Sequence, residues 1–442
     1  MKRFKAIAGW VIMALNCHSI SLSAQVEVMQ LEQAIAEAIA HNHQLKASGL
    51  ARDIAVNSAD PGLAGLYPRV ALTANGGALN NDTRLEFAQA GLEPVEVSGA
   101  QSLNYGAGVN LSYRLFDGLG NVYTLRQLQA QAQIGEADFR IALENTMTAT
   151  IVEFYNLARL QEQNRIDQEN LEISLRRFER AAKRNQLGSG SSFELSSAEV
   201  DLRNDSLQWI LSQTEKENAL RSLNILLGRS NDNKYIVDVE VDFEDLPNDS
   251  TLFHMLDERN SAVRKTKASV KAQAYARRVA QSAFIPTMDL TAGYNFSAQE
   301  NEVGLLLFQR NDGLNAGLTL QWDLFNGNRN WVQNENARLA LEQAKEQNAQ
   351  QQLSIRQELR NALSIYRQAL FSVDVARRNM RTSDLNFLRA KELFALGQID
   401  NTQFREAQLN LQNSISSRNN ALFTAKVAET EVLRLCGLLV GE

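Results

Sequence analysis

The stretch Tyr113-Arg-Leu-Phe-Asp-Gly118 recurs as Trp322-Asp-Leu-Phe-Asn-Gly327, an offset of 209 residues if Phe116 is matched to Phe325. The same offset relates Leu187-Gly188 to Leu396-Gly397. Two units of this length account for nearly all of a 442-residue chain. The sequence therefore indicates a duplicated architectural unit rather than a solenoid of short repeats.

Each copy carries two segments that alternate between apolar and polar or glycine residues, the period of a β-strand. They lie near 67–80 and 101–116 in the first copy and near 285–298 and 312–325 in the second. Strands of ten or more residues have the length that spans a membrane in a β-barrel, with Tyr105, Tyr113, Tyr294 and Trp322 as interface aromatics. A half-buried sheet of a soluble protein gives the same alternation, so both interpretations stay open.

A long proline-free segment follows the second strand of each copy. Residues 118–187 and 327–396 repeat apolar side chains at spacings of three and four, which predicts helices of about 100 Å. Return helices are predicted at 191–229 and 400–438. Lengths far above the average helix favour packing as coiled coils.

Short polar motifs predict where these helices begin and end. Asp117 and Asn326 follow the strands and are predicted N-caps. Gly188 and Gly397 are predicted C-caps, since glycine tolerates the left-handed conformation. Capping boxes are predicted to open the return helices at Ser191-Ser-Phe-Glu194 and Asp400-Asn-Thr-Gln403.

Residues 1–23 have the pattern of an export signal: three cations, the apolar run Ala6–Leu15, and small residues before a cleavage point after Ser23 or Ala24. Cys17 lies near the end of that run. Ala14 and Asn16 do not fit the residues that precede an acylated cysteine, so lipidation of Cys17 is disfavoured but stays open. The mature chain is predicted to be an exported protein.

Composition and motifs exclude several function classes. A net charge of −6 and a pI near 5.5 argue against nucleic-acid binding. The two cysteines allow no disulfide framework. No P-loop, GxSxG, HExxH or CxxC motif occurs, and His41 and His43, two apart on a predicted helix, point to different sides. We expect no enzyme activity, no cofactor and no metal site.

The duplication, the strand count and the element order together resemble the TolC family of outer-membrane efflux and secretion channels. The resemblance rests on the two Leu-Phe-Asp/Asn-Gly turns, the tips at Leu187-Gly188 and Leu396-Gly397, and the segment Gly397–Leu411. Leu31–Leu45 is similar to the family's opening helix, although His43 stands where the family often has proline.

The resemblance implies a mixed fold of all-α and β-barrel parts. A homotrimer would form a 12-stranded outer-membrane barrel, with four strands from each subunit, on a long periplasmic α-helical coiled-coil tunnel. The first repeat would span 24–229, an equatorial segment 230–248, and the second repeat 249–442. Four strands cannot close a membrane barrel by themselves, which independently favours assembly of several copies.

In function, the resemblance implies a passive exit channel of a tripartite efflux or type I secretion system. Its partners would be a periplasmic adaptor (a membrane fusion protein), an inner-membrane pump of the RND or ABC type, and outer-membrane lipid. The tunnel would project into the periplasm. A periplasmic coiled-coil adaptor or scaffold without channel activity, and an exported enzyme, remain as alternatives. Drug efflux, metal or solvent export and protein secretion are not distinguished.

The tips are where the resemblance places function. In the family, acidic residues there narrow the periplasmic entrance. The matching positions of this chain hold Glu194 and Ser197 in the first copy and Gln403 and Glu406 in the second, and the predicted gate residues are Glu194, Gln403 and Glu406. Gln403 departs from the acidic pattern, which puts a double acidic ring in doubt. Adaptor docking falls on six residues: Leu187, Gly188, Ser189, Leu396, Gly397 and Gln398. Glu194, Gln403 and the glycines would also serve as plain helix caps.

Overall fold

The computed structural model describes residues 28–86, 93–238, 241–304 and 306–440, so the predicted signal peptide and Cys17 lie outside the described residues. The first half runs β1 (Val28–Met29), α1 (Leu31–His41), α2 (His43–Asn57), β2 (Arg69–Leu85), β3 (Val95–Phe116), α3 (Gly120–Gln186), α4 (Ser192–Leu227) and β4 (Ile236–Val237). The second half repeats the order with α5 (Asp249–Arg259), α6 (Ser261–Ser282), β5 (Thr287–Asn301), β6 (Phe308–Gln321), α7 (Arg329–Ala395) and α8 (Asn401–Leu435).

The four long strands form one antiparallel sheet in the order β2-β3-β5-β6. β2, β3 and β5 extend a few residues beyond the alternating segments, towards the connecting loops. The strand predicted near 312–325 is displaced, because β6 spans Phe308–Gln321 and Trp322 and Leu324 follow it. The indole Nε1 of Trp322 instead donates a hydrogen bond to the carbonyl oxygen of Phe284, at 3.1 Å.

The two faces of the sheet differ as the alternation predicts. One face carries exposed apolar side chains such as Leu72 and Leu314. On the other face, a row of side-chain hydrogen bonds crosses all four strands. Asn110 donates to Thr73 at 3.2 Å, and Asn295 donates to Asn110 at 3.2 Å and to Asn315 at 2.9 Å. The row aligns the strands of both halves through uncharged polar groups.

The turn from strand to long helix corrects the predicted N-caps. The caps are Leu119 and Asn328, both left-handed at φ 67° and 63°, so each helix begins later than Asp117 or Asn326 predicts. Asp117 still contributes, since its Oδ2 accepts a hydrogen bond from the amide of Asn121 at 2.7 Å. The left-handed residue adds a tight turn between the strand and the helix, and N-cap preferences alone do not indicate this turn.

Each long helix has 67 residues and extends about 100 Å. α3 packs along its return helix α4, and α7 packs along α8. In proteins, most of the stability of a helix comes from packing of its apolar face, so the burial of these helices against one another is what holds them in place. None of the helices within the described ranges is apolar over enough of its length to cross a membrane.

The largest apolar clusters lie at mid-height, where the short helices meet the hairpins. The first cluster includes Phe154, Leu157 and Leu223, each at most 1% exposed. The second includes Leu359 and Val432, both fully buried. At about 25 cal/mol per Å² of apolar area removed from water, these two clusters are the main apolar stabilisation of the helical part of the described chain.

The segment predicted as one helix over Leu31–Leu45 is broken at Asn42, which ends α1 and caps α2. Asn42 has extended backbone angles, its Oδ1 accepts from the amide of Leu45 at 2.9 Å, and its Nδ2 donates to the carbonyl oxygen of Leu226 at 3.0 Å. Asn260 repeats this arrangement between α5 and α6, with Nδ2 donating to Leu435 at 2.9 Å. The break places His43 at the first helical position, where proline is tolerated in other chains.

The described parts of the segment predicted as equatorial, 230–238 and 241–248, lie against the hairpins at the level of these clusters. β4 pairs in parallel with β1. The Nζ of Lys426 donates to the carbonyl oxygen of Asp242 at 2.7 Å, and Glu429 accepts from the amide of Glu244 at 2.6 Å. α8 therefore anchors this segment through two charged side chains.

We expect Asn42→Ala to lower the free energy of unfolding by about 1–3 kcal/mol, because it removes a helix cap and leaves the Leu226 carbonyl without its donor. The measurement is chemical denaturation of the detergent-solubilised protein, followed by circular dichroism. Asn57→Ala, an exposed site at the end of α2, is the control. Equal stabilities of the two variants would contradict the role of Asn42 in capping α2 and binding the end of α4.

Candidate functional site

Both helical tips end in the geometry that the C-cap prediction requires. Gly188 and Gly397 are left-handed, with φ of 71° and 73°. The next amides turn back to the helices: Ser189 donates to the carbonyl oxygen of Arg184 at 3.0 Å, and Gln398 donates to that of Leu393 at 2.9 Å. These bonds satisfy carbonyl groups that a helix end otherwise leaves open.

Large apolar side chains are exposed at the tips. Leu187 is 74% exposed and Leu396 is 71% exposed, and Ser189 and Gln398 beside them are exposed as well. Phe193, which the sequence reasoning missed, is 77% exposed in the first turn of α4. Its sequence signal is an aromatic residue two positions after the N-cap Ser191. Together these side chains form an apolar tip surface that has no covering segment within the described chain.

Glu194 and Gln403 occupy matching positions but make different contacts. Glu194 forms an ion pair with Arg184 at 3.2 Å, and Ser191 accepts from the amide of Phe193 rather than from that of Glu194. The first predicted capping box is therefore wrong, because a cation in the last turn of α3 binds the carboxylate. The second predicted capping box is confirmed. The backbone amide of Gln403 donates to the carboxylate of Asp400 at 2.8 Å, and the side-chain oxygen of Gln403 accepts from the backbone amide of Asp400 at 3.1 Å.

Glu406 differs from both. It is exposed on α8, and in the described chain its carboxylate has no hydrogen bond or ion pair. Of the three residues at the predicted constriction, it is the one whose charge is available to a solute or to another copy of the chain.

The two hairpins meet close to the tips through charged side chains. Arg405 on α8 binds Asp205 on α4 with two parallel hydrogen bonds of 2.7 Å each. Arg177 on α3 binds Asp201 at 2.8 Å and Asn401 at 2.9 Å. Arg405, Asp205 and Arg177 are about nine-tenths buried, which makes these bonds strong and their loss costly.

We call the contacts of Arg405 and Arg177 with Asp205 and Asp201 the charged joint. Further from the tips, the contact between α3 and α8 is also polar. Gln408 donates to Asn170 at 3.0 Å, Gln412 donates to Asp167 at 3.1 Å, and Ser416 continues the row. Burial raises the pKa of the Asp167 carboxyl. Sequence reasoning missed this polar seam, although its α8 members recur every three or four residues: Asn401, Arg405, Gln408, Gln412 and Ser416.

The other candidates form no chemical centre. His41 ends α1 and His43 begins α2, so they are not on one helix as predicted. Within the described residues, no group of three or more His, Cys, Asp or Glu side chains could hold a metal ion. Cys436 is buried, and burial raises the pKa of its thiol to about 12. A thiol of that kind is unreactive at neutral pH.

A family model and one known protein match most of this chain. The family model described as outer membrane efflux protein matches residues 34–229 and 252–438, which covers both repeats. Protein CyaE of Bordetella pertussis is 26% identical over 308 residues, which make up 69% of this chain and 62% of CyaE. The chain therefore aligns with less than two thirds of that relative.

Solved structures match over most of the chain. The CmeC outer membrane channel of Campylobacter jejuni superposes with a TM-score of 0.79 at 20% identity, covering 92% of this chain and 85% of CmeC. The outer membrane protein VceC of Vibrio cholerae superposes with a TM-score of 0.73 at 18% identity, covering 92% of this chain and 96% of VceC. At such identities the likeness is evidence for the fold.

A double-mutant cycle tests the charged joint. We expect Arg405→Gln to destabilise the protein by roughly 3 kcal/mol, because it leaves the Asp205 carboxylate buried without its cation. Asp205→Asn should cost a similar amount, and the double variant less than the sum of the two. Denaturant unfolding measures all four proteins. Strict additivity would show that the two side chains do not depend on each other.

Proposed function

Because this chain belongs to the outer membrane efflux protein family, we propose that it is the exit channel of a tripartite efflux or type I secretion system. The match of the family model to both repeats of this chain carries the proposal. Family membership makes it an outer-membrane transport protein and not an enzyme, and the TolC-like fold predicted from the sequence is confirmed. A periplasmic adaptor or scaffold would need neither the long strands nor two helical hairpins.

The proposed channel is a homotrimer. In the sheet, β2 and β6 are the edge strands, and each leaves a row of backbone donors and acceptors without a partner among the described strands. Lipid cannot satisfy such groups, so edges must join. Three copies of the sheet joined edge to edge would give the 12-stranded barrel, with the Asn-rich face towards a water-filled interior and the apolar face towards lipid.

The helical hairpins of three copies would form the periplasmic tunnel. Solutes would pass passively, since the sequence has no nucleotide-binding motif and the energy has to come from an inner-membrane pump of the RND or ABC type. A tunnel of this length needs no fitted substrate pocket. Its cargo is then set by the partners, whether drugs, metals, solvents or proteins.

The tips are the proposed docking site of a periplasmic adaptor. Leu187, Leu396 and Phe193 give exposed apolar area, and the residues Gly188, Ser189, Gly397 and Gln398 shape the turns around it. Exposed apolar side chains at the end of a long polar hairpin favour contact with another protein.

For the periplasmic entrance, we assign the constriction to Glu406. Glu194 and Gln403 also belong to the proposed entrance, but their side chains brace the turns through Arg184 and Asp400. One acidic ring, rather than two, is the arrangement that the observed contacts favour.

We expect Glu406→Gln to lower the preference of the channel for cations over anions, because three carboxylates near one axis attract cations. The measurement is the reversal potential across planar bilayers in a KCl gradient. Glu392→Gln, which removes an exposed carboxylate on α7, is the control. An unchanged reversal potential would refute the Glu406 ring, and the absence of any conductance in the unmodified protein would refute the channel.

Adaptor docking is tested by photo-crosslinking in cells from position 398, next to Gly397, with identification of the captured protein by mass spectrometry. We expect an adaptor of a proton-driven pump if the system exports small molecules, and an adaptor of an ATP-driven exporter if it secretes proteins. Position 353, an exposed leucine far up α7, is the control. Capture of no periplasmic adaptor from position 398, with assembly intact, would contradict docking at the tips.

A further inference from the structure

A cavity of 260 Å³ opens between α3 and α7 close to the tips. Arg180, on its rim, is eight residues before Gly188, which is about 12 Å along the helix axis. The cavity therefore lies beside the proposed docking surface but on the flank of the hairpins, where α8 contributes its floor through Phe404.

Three aromatic rings give the cavity a firm apolar wall. Phe394 and Phe404 stack at 4.7 Å between ring centroids and 18° between planes, and Phe387 lies 5.7 Å from Phe404. Phe404 is only 5% exposed, so its position is fixed by packing against its neighbours. A wall of this kind favours contact with the methylene groups of a side chain.

Four cations surround these rings, and no carboxylate lines the cavity: Arg176, Arg177, Arg180 and Lys391. Arg180 lies 5.3 Å from the ring centroid of Phe394, and Arg177 lies 5.8 Å from that of Phe404. Arg176, Arg180 and Lys391 are exposed and form no ion pair within the described chain. The lining of the cavity is therefore positively charged, although the net charge of the chain is −6.

Arg177 supplies a second, independent sign of a missing partner. It is 6% exposed, and its Nη1 atom is buried without a hydrogen bond, although Nη2 binds Asp201 and Nε binds Asn401. Burial lowers the pKa of this guanidinium despite the neighbouring carboxylates. An unpaired donor on a buried cation is costly, and an incoming anion would satisfy it.

We call this cavity the cationic notch; four cations form it around the three phenylalanines: Arg176, Arg177, Arg180 and Lys391. We propose that the notch receives an Asp or Glu side chain from an apolar helix of the periplasmic partner. The open groove between two helices suits a third helix, the rings take its apolar face, and the cations fix one carboxylate. The inference rests on the proposed function, since it names the chemistry of the partner that docks at the tips.

The test uses the full-length protein in detergent and two fluorescent helical peptides that share a leucine face and differ only in one central Glu or Gln. We expect the Glu peptide to bind about tenfold more tightly at low salt, measured by fluorescence anisotropy. The double variant Arg180→Gln, Lys391→Gln should abolish that preference. Arg389→Gln, which removes an exposed cation of α7 outside the notch, should retain it.

Equal affinity for the two peptides, no binding of either at millimolar concentration, or a preference that survives in the double variant would each overturn the proposal. So would a Lys391→Cys side chain that reacts with maleimide only after the assembly is dissociated, because a second copy would then cover the notch. Conductance is measured on the same preparations. Intact conductance without peptide discrimination refutes the notch alone, whereas absent conductance refutes the channel itself.

Discussion

The unpaired backbone groups at the two edges of the sheet are the constraint on which the account depends. Within one chain the strands β2 and β6 end the hydrogen-bonded order, yet one face of the sheet is apolar and exposed. A protein of the outer membrane cannot leave those groups in lipid, where each would cost several kcal/mol. In the proposed trimer, closure with further copies would satisfy the edges and place the Asn-rich face around water, so the sheet of one chain would be a third of the barrel.

In the helical part of the chain, apolar clusters hold the middle of the hairpins together, whereas mainly polar contacts join the hairpins towards the tips. Apolar clusters around Phe154 and Leu359 hold the middle, and Asn42 and Asn260 tie the short helices to the ends of the return helices. Towards the tips, the hairpins contact each other through the polar seam, the Arg405–Asp205 pair and a small apolar cluster around Phe404. The Arg405–Asp205 pair is buried, so a rearrangement of the tips that separates the hairpins has to let water reach both charges.

Much of this fold is predictable because its signals are local and periodic. Alternation predicted four strands, the absence of proline predicted the long helices, and Gly188 and Gly397 marked the turns between them. The break at Asn42 was not predicted, because the apolar spacing runs through it and the deciding hydrogen bond reaches the distant carbonyl of Leu226. The helix starts were placed early, because a left-handed Leu119 has no sequence signature.

The candidate site was less predictable than the fold. Sequence alone identified the tip turns, but the ion pair of Glu194 with Arg184 depends on two helices meeting at the tip. The polar seam on α8 has the spacing of a solvated helix face, and only the approach of α3 makes it an interface. For the same reason, Lys391 of α7 joins the three arginines of α3 in the notch only because both helices pack against α8.

The most direct test of the central claim is native mass spectrometry of the protein released from membranes in mild detergent, because it counts the chains in the assembly. The account predicts a single species of three chains that dissociates on heating, since closure of the edges requires the other copies. A stable monomer as the membrane-extracted form would contradict it, because the edges of β2 and β6 would then be tolerated without partners.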